Sequence, residues 1–255
     1  VMWGELLKRN LISETAGGRQ PDYGNLLEKE LQRRETTMDI YWSGKRLGTS
    51  HTVIQRKESG LLNVESRTRF EFSELPGFVV PAGRHLEAKF EATLSPLLGL
   101  RSFRVKCDQF DVDIIGRVQK KQMIIRGRAG GQKIEQSRQF DTAPFLSETL
   151  VPMLAFPDLE KAQKGDKWTV QMVNPILGDM EEVEVRVHSC RRAHLRGETV
   201  RVLGLLFSSR DQVWRSWVTQ RGRVLVQRSS FGLVLRSEDL PADWPKWRKS
   251  GTSRP

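Results

Sequence analysis

From residue 37 onward, apolar side chains recur at every second position of the chain. Met38, Ile40 and Trp42 alternate with polar residues, and Val183, Val185 and Val187 do the same much later. A period of two predicts strands with one buried face. Glycine-containing turns, such as residues 43–45 and 58–60, separate the runs and predict a meander of adjacent antiparallel strands.

The alternation predicts a dozen or more strands. After a first strand from Thr37, they are expected at 46–57, 61–72, 85–94, 100–107, 110–118, 122–128, 133–140, 167–173, 181–187, 199–208, 213–219, 223–228 and 233–236. So many strands rarely stay in one flat sheet. The predicted fold is therefore mainly β, a curved antiparallel sheet or half-barrel.

Two regions break this period. Residues 144–155 have Pro144 in their first turn and apolar residues at helical spacing, which predicts one embedded helix that Pro152 kinks or ends. Residues 1–36 predict a helical N-terminal extension, whose second helix would run from about Pro21 to Arg34. We therefore divide the chain into the extension 1–36, a β-rich domain 37–240 and a basic Trp/Pro tail 241–255.

Charge and cysteine content narrow the class of protein. The 255 residues carry a net charge of +11, and 29% of them are charged, which excludes a bundle of membrane helices. The two cysteines, Cys107 and Cys190, show no zinc or redox spacing. They are either two unpaired thiols or one disulfide, and the disulfide would indicate an oxidising compartment.

The residues that could form a catalytic or metal site are better explained as ordinary strand and turn residues. His188, Cys190 and His194 lie among arginines, which disfavour a metal ion. Asp111 and Asp113 alternate with apolar residues as in a strand, without the glycine and glutamate of a calcium loop. The glycine pairs lack the phosphate-binding patterns of nucleotide sites. We expect no enzyme activity, no catalytic residue, no cofactor and no metal.

The basic residues are more informative, because they form three clusters. Seven cations face one carboxylate between residues 117 and 138, four arginines lie within 191–201, and the tail adds four more cations. Such clusters favour an anionic membrane surface or an acidic protein partner. No nucleic-acid-binding motif accompanies them, which disfavours nucleic acid. The expected contact residues are Trp3, Leu6, Leu7, Arg117, Lys120, Lys121, Arg126, Arg128, Arg191, Arg192, Trp244, Trp247, Arg248 and Lys249.

The sequence of the first predicted hairpin is similar to that of a known class of proteins. Within residues 38–55 an aromatic residue, Trp42, is followed by x-Gly-Lys-x-x-Gly and a polar strand. Segments 100–105, 116–118, 164–168 and 216–236 continue the pattern across about 37–238. The chain thereby resembles a poorly characterised β-rich class of bacterial envelope proteins. This class includes the β region before the catalytic core of some transglutaminase-like proteins, and distant relatives resemble the lipoprotein carriers LolA and LolB.

The resemblance implies an extracytoplasmic, periplasmic β domain, anchored to the membrane by a segment upstream of Val1. It brings no active site, since the transglutaminase core would follow Arg236, and Cys107 and Cys190 match no nucleophile. We therefore expect a non-catalytic scaffold or accessory subunit of a membrane protein complex. The alternative is a periplasmic carrier of lipid or another hydrophobic ligand, with a cavity lined by Phe70, Phe90, Phe103 and Trp168.

Overall fold

The described strands all belong to one sheet. The computed structural model describes residues 33–71, 85–95, 99–139, 145–146, 159–173, 180–195, 197–210, 212–229, 232–240 and 244. Within these residues, fifteen strands form a single sheet in the order β8-β7-β6-β5-β4-β3-β2-β1-β15-β14-β13-β12-β11-β10-β9. The prediction of a mainly β, curved antiparallel sheet is confirmed at this level.

The first eight strands form an antiparallel meander. They are β1 (Arg33–Trp42), β2 (Lys45–Arg56), β3 (Leu62–Glu71), β4 (His85–Leu94), β5 (Leu100–Cys107), β6 (Val112–Gln119), β7 (Gln122–Ala129) and β8 (Gln132–Gln139). Two-residue turns connect several of them. Ser43 and Gly44, with φ of 49° and 83°, link β1 to β2, because a type I′ turn needs two positive φ angles.

The remaining seven strands form the second half of the sheet. They are β9 (Phe145–Leu146), β10 (Lys167–Val173), β11 (Met180–Leu195), β12 (Glu198–Ser208), β13 (Val213–Thr219), β14 (Val224–Arg228) and β15 (Leu233–Ser237). β9 pairs with β10 in parallel, whereas the other neighbours are antiparallel. The halves join where β1 pairs with β15, for example Ile40 with Leu235.

Chain connectivity requires this sheet to curl. β8 and β9 lie at opposite edges of the sheet, yet only residues 140–144 connect them. Six Cα–Cα steps span at most about 22 Å. A flat sheet of fifteen strands spaced about 4.8 Å apart would be about 67 Å wide. The two edges must therefore approach each other, which makes the sheet barrel-like and gives it an inner and an outer face.

The inner face holds most of the apolar side chains, in two clusters. The first covers β2–β7 and includes Val64, Phe90 and Ile114. The second covers β1 and β10–β15 and includes Val185 and Phe207. Each large apolar side chain buried in this way contributes about 1.5–3 kcal/mol to folding. The inner face is thus the core of the protein.

Buried hydroxyl groups lie beside the first cluster on β2 and β3. Ser50 Oγ is 2.9 Å from Thr68 Oγ1, and Thr52 Oγ1 is 2.9 Å from Ser66 Oγ. Ser50, Thr52 and Ser66 are almost fully buried. Because these hydroxyls bond one another, they occupy the interior without leaving a buried polar group unpaired.

A third apolar cluster covers part of the outer face. Leu240 and Trp244, from the residues after β15, pack on Val202, Trp217 and their neighbours on β12–β14. This second layer buries outer-face side chains that would otherwise contact water. Trp244 of the predicted tail thus packs on the β-rich domain itself, and Trp247 lies outside the described residues.

The two helical predictions have different outcomes. The embedded helix at 144–155 is wrong at Phe145 and Leu146, which form strand β9 against Met172 and Val173. A short apolar run does not distinguish helix from strand by period alone, and here the open edge of β10 decides. The rest of 144–155 lies outside the described residues.

The N-terminal helix is wrong at its last two residues, Arg33 and Arg34. They belong to β1, which begins four residues before the predicted boundary because the long β2 supplies pairing partners, Gln55 and Ile54. The remainder of the extension, residues 1–32, lies outside the described residues.

One strand prediction also needs correction. Residues Asp108–Phe110 form a 3-10 turn, and the strand expected from Phe110 begins at Val112. Asp111 takes a left-handed conformation, with φ of 50°, and ends this turn. Trp42, the last residue of β1, is 38% exposed. The bulge beside it leaves Leu47 of β2 as the extra residue, so the alternation of β1 itself is kept.

Candidate functional site

The first basic cluster lies on β6, β7 and the turn between them, but folding neutralises part of it. Arg126 Nε lies 3.1 Å from Glu135 Oε1 on β8, and an Arg128 terminal nitrogen lies 2.8 Å from Asp111 Oδ1. Both predicted contact residues therefore already have carboxylate partners. The expected excess of positive charge is smaller in three dimensions than along the chain.

The rest of this cluster remains exposed. Arg117 projects from the outer face of β6 beside Ile115, which is 39% exposed, and Lys120 and Lys121 form the β6–β7 turn. Lys120 has a left-handed backbone with φ of 56°, as the tight turn requires. We call Ile115, Arg117, Lys120 and Lys121 the β6–β7 surface. It combines an accessible apolar side chain with three cations.

The second basic cluster is divided between the two faces of the sheet. Neighbouring residues of a strand project to opposite sides, so Arg191 and Arg192 do not act together. The Arg191 guanidinium lies 5.5 Å from the centre of the Trp244 ring, a cation–π contact within the chain. Arg201, on the face of Arg192, donates to Cys190 Sγ at 3.0 Å and to the carbonyl oxygen of Ala162.

Of the contact residues predicted near the two termini, the structure describes one, Trp244. Trp244 is only 8% exposed because it packs on the outer face of its own sheet, so it is not available as a partner or membrane contact. The others lie outside the described residues, namely Trp3, Leu6, Leu7, Trp247, Arg248 and Lys249.

Sequence analysis missed an arginine pair on β13 and β14. Arg215 and Arg228 are both exposed and stand directly opposite each other in the antiparallel ladder. Among the described residues, neither side chain has a carboxylate partner or a hydrogen bond. The two arginines lie thirteen positions apart in sequence, and only the register of the hairpin brings them together.

His188 lies close to this pair. It is the extra residue of a β-bulge in β11, because Val187 pairs with Leu205 and Ser189 pairs with Gly204. Its ring makes an edge-to-face contact with Trp217, with centroids 6.1 Å apart. A Cβ atom on Gly204 would lie 2.6 Å from His188 Nε2, so the glycine leaves room for the imidazole.

The surroundings of His188 disfavour its protonated form. Burial lowers the pKa of its imidazole below the ordinary 6.5, and the positive charges of Arg215, Arg191 and Lys164 lower it further. Its Nε2 is buried without a hydrogen-bond partner in the described structure. Arg215, Arg191 and Lys164 are thus near enough to act on His188, beside Trp217.

The two cysteines are not bonded to each other, and the described His, Cys, Asp and Glu side chains do not form a metal site. Cys107 and Cys190 are free thiols on β5 and β11, so the alternative of two unpaired cysteines is confirmed. Burial raises the pKa of the Cys107 thiol. Within the described ranges, no group of three His, Cys, Asp or Glu side chains is arranged to hold a metal ion. No helix in that part of the chain is long and apolar enough to cross a membrane.

Comparison with known proteins identifies the fold. No family model and no curated protein matches the chain. A solved structure, a β-barrel-like protein of the domain of unknown function DUF1849 from Brucella abortus, is similar over 81% of this chain and 95% of its own. The TM-score is 0.50 at 10% identity. The chain thus has a β-rich, barrel-like fold that is also found in a bacterial domain of unknown function.

Proposed function

We propose that this protein is a non-catalytic, extracytoplasmic scaffold or accessory subunit of a membrane-associated complex. It binds through the outer face of its sheet and through its terminal extensions. The periplasmic location, the anchor upstream of Val1 and the kinship with transglutaminase-associated β regions and with LolA and LolB rest on the sequence resemblance alone. What the structure adds is the composition of the outer face, where an apolar side chain and several cations are accessible.

The observation that carries the proposal is the β6–β7 surface. Ile115 is an exposed, β-branched apolar residue in the middle of a sheet face, and Arg117 lies two positions along the same strand. Exposed apolar side chains bordered by arginine are typical of protein interfaces. The adjacent Lys120 and Lys121 favour a partner with acidic side chains or an anionic membrane around it.

The alternative, a carrier of lipid or another hydrophobic ligand, depends on a shared cavity. Phe90 and Phe103 belong to the first inner cluster, whereas Trp168 belongs to the second and Phe70 packs against that second cluster. Phe90, Phe103 and Trp168 are at most 4% exposed. These aromatic side chains are packed into two separate parts of the core, so we place the scaffold ahead of the carrier.

Purification from native membranes in a mild detergent tests the proposal. We expect the full chain to co-purify with membrane proteins in fixed stoichiometry, identified by mass spectrometry. Reversing the exposed turn charges, Lys120→Glu with Lys121→Glu, is expected to reduce that recovery at least several-fold. The matched control is Lys57→Glu, a charge reversal in the exposed turn after β2.

The outcomes separate the two functions. Recovery of the chain alone, with bound lipid detected by mass spectrometry of the extract, would replace the scaffold with the carrier. Equal recovery of partners by the turn variant and by wild type would remove the β6–β7 surface from the interface.

A further inference from the structure

The arginine pair on the outer face is an unusual arrangement for a β-sheet. Directly opposed residues of antiparallel strands have Cβ atoms about 4.5–5.5 Å apart, and like charges in this arrangement destabilise the pair. Arg215 and Arg228 occupy such positions. The repulsion between them needs a compensating negative charge, or else it reduces the stability of the hairpin.

The residues that pair directly with the two arginines from the neighbouring strands carry no negative charge. Together, these directly paired positions form one row across the sheet. Arg215 pairs on its other side with Leu206 of β12, and Arg228 pairs with Val234 of β15. The next cation in the row, Arg186 on β11, is bonded to Glu184 at 3.1 Å. Glu184 thus compensates part of the positive charge of Arg186 and Lys167 at the β10–β11 end. Among the described residues, Arg215 and Arg228 have no such carboxylate partner.

We propose that Arg215 and Arg228 form a binding site for a phosphate group. Each guanidinium offers a planar fork of N–H donors that fits two oxygens of a phosphate, and two forks match the charge of a dianion. The ladder of β13 and β14 places the two arginines opposite each other, two positions along β13 from the buried Trp217. This site goes beyond the proposed scaffold function and does not depend on it.

The surroundings suit a phosphate that belongs to a larger molecule. Val213 lies two residues before Arg215 on the same strand face and is 47% exposed, so it can contact an apolar portion of the ligand. A lipid headgroup and a free phosphate or soluble phosphate monoester share the chemistry that the arginines recognise. The experiment therefore has one arm for each source.

The first arm is a titration of the full chain with inorganic phosphate at constant ionic strength, followed by NMR of the arginine Nε–Hε groups. We expect saturable shifts at Arg215 and Arg228, and none at Arg67, an exposed arginine on β3. Arg215→Gln or Arg228→Gln should each weaken binding about tenfold or more, because one charge-assisted fork is lost. Arg215→Lys keeps the charge and should lose only part of the affinity.

A second readout uses His188. The groups whose charges lower its pKa are Arg215, Arg191 and Lys164. A bound dianion beside Arg215 would offset this field, so saturation with phosphate should raise the pH midpoint of the His188 imidazole signal. By reciprocity, the phosphate dianion should bind more tightly when His188 is protonated, once the measured constants are corrected for the protonation of phosphate itself.

The other arm measures sedimentation with vesicles of phosphatidylcholine, with and without phosphatidylglycerol. Binding to the anionic vesicles that Arg228→Gln abolishes, without saturable binding of inorganic phosphate, would assign the site to a lipid headgroup. Saturable phosphate binding without vesicle binding would assign it to a soluble ligand. Thermal unfolding checks that the variants are folded, and at equal phosphate concentration wild type should be stabilised more than Arg215→Gln.

Two results would overturn the proposal. One is the absence of arginine shifts with phosphate together with vesicle binding that the Gln variants do not change. The other is phosphate binding that Arg67→Gln weakens as much as Arg215→Gln does, because general attraction to a basic protein would then explain it.

Discussion

A single inserted residue gives β11 its special chemistry. The bulge at His188 places two consecutive residues, His188 and Ser189, against Gly204, and both side chains approach the position of a Cβ atom there. The imidazole therefore lies over Gly204 of β12 and beside Trp217 of β13. Burial and three nearby cations oppose its protonation. A fall in pH that protonates His188 therefore adds a positive charge at an unfavourable place.

His188 should make the protein less stable in mild acid. Its pKa is lower in the folded chain than in the unfolded chain, so the unfolded state binds more protons once the pH falls below about 6.5. The free energy of unfolding should decrease from there until the pH passes the folded pKa. Urea unfolding of wild type and His188→Gln between pH 7.5 and 5 measures this.

We expect the His188→Gln variant to lose part of the slope in that range. His194→Gln is the matched control, since His194 is exposed and bonds only the Thr199 hydroxyl in the described structure, at 2.9 Å. Identical slopes for wild type and His188→Gln would show that the imidazole is not held in its neutral form.

At the scale of the element, the edge strand β8 carries charged side chains that discourage pairing with a strand of another molecule. It pairs only with β7 among the described strands, and nearly all of its side chains are exposed. Lys133 and Glu135 are on its outer face, where Glu135 Oε2 is 3.3 Å from Lys133 Nζ. Charged side chains on an edge strand discourage pairing with the edge of another molecule.

Removing these charges should cause self-association. The variant Lys133→Val with Glu135→Val keeps β propensity but presents an apolar edge, so we expect dimers or larger species by light scattering after gel filtration. The control, Glu65→Val with Arg67→Val, makes the same change on the outer face of β3, which has neighbours on both sides. A wild-type mass for both variants would mean that β8 is not an accessible edge.

At the scale of the whole molecule, the first and last strands close the structure. β1 and β15 pair although they lie almost two hundred residues apart, and this pairing merges two meanders into one sheet. A meander places each strand beside the next one, and such local contacts alone would leave two separate sheets. The long-range seam and the short β8–β9 connection together impose the barrel-like curvature.

Distance measurements by pulsed electron paramagnetic resonance test the curvature. Spin labels at Ser137 on β8 and Gln171 on β10 should lie within about 40 Å, since the connection between β8 and β9 limits the separation. The same strands in a flat sheet would lie about 62 Å apart. Labels at Gln122 on β7 and Ser137, on adjacent strands, provide the short-range control. A separation near 60 Å would mean that β9 does not pair with β10.

Much of the fold could be predicted because its signals are local. The period of two depends only on which side chains prefer the interior, and turns such as Ser43–Gly44 need residues that tolerate positive φ. The errors occur where pairing overrides local preference. Arg33 and Arg34 extend β1 because β2 is long enough to bond them, and Phe145 and Leu146 join β10 although their spacing suits a helix.

The candidate site was less predictable. The β6–β7 surface follows from a cluster of charges along the chain, yet the carboxylates that neutralise Arg126 and Arg128 come from β8 and from the turn before β6. Arg215 and Arg228 carry no signal in sequence. Counting outward from the turn at 220–222 would have misplaced them, because a bulge between Trp217 and Val218 shifts the register.

The sequence by itself determined that this protein is β-rich, basic and divided by glycine turns, because hydrophobic period and turn chemistry act over a few residues. Only the tertiary structure decided which strands are edges, which face is inside and which charges face one another. Those properties depend on register, on bulges and on the β1–β15 seam. They arise when distant segments pair, where a shift of one residue moves a side chain to the opposite face.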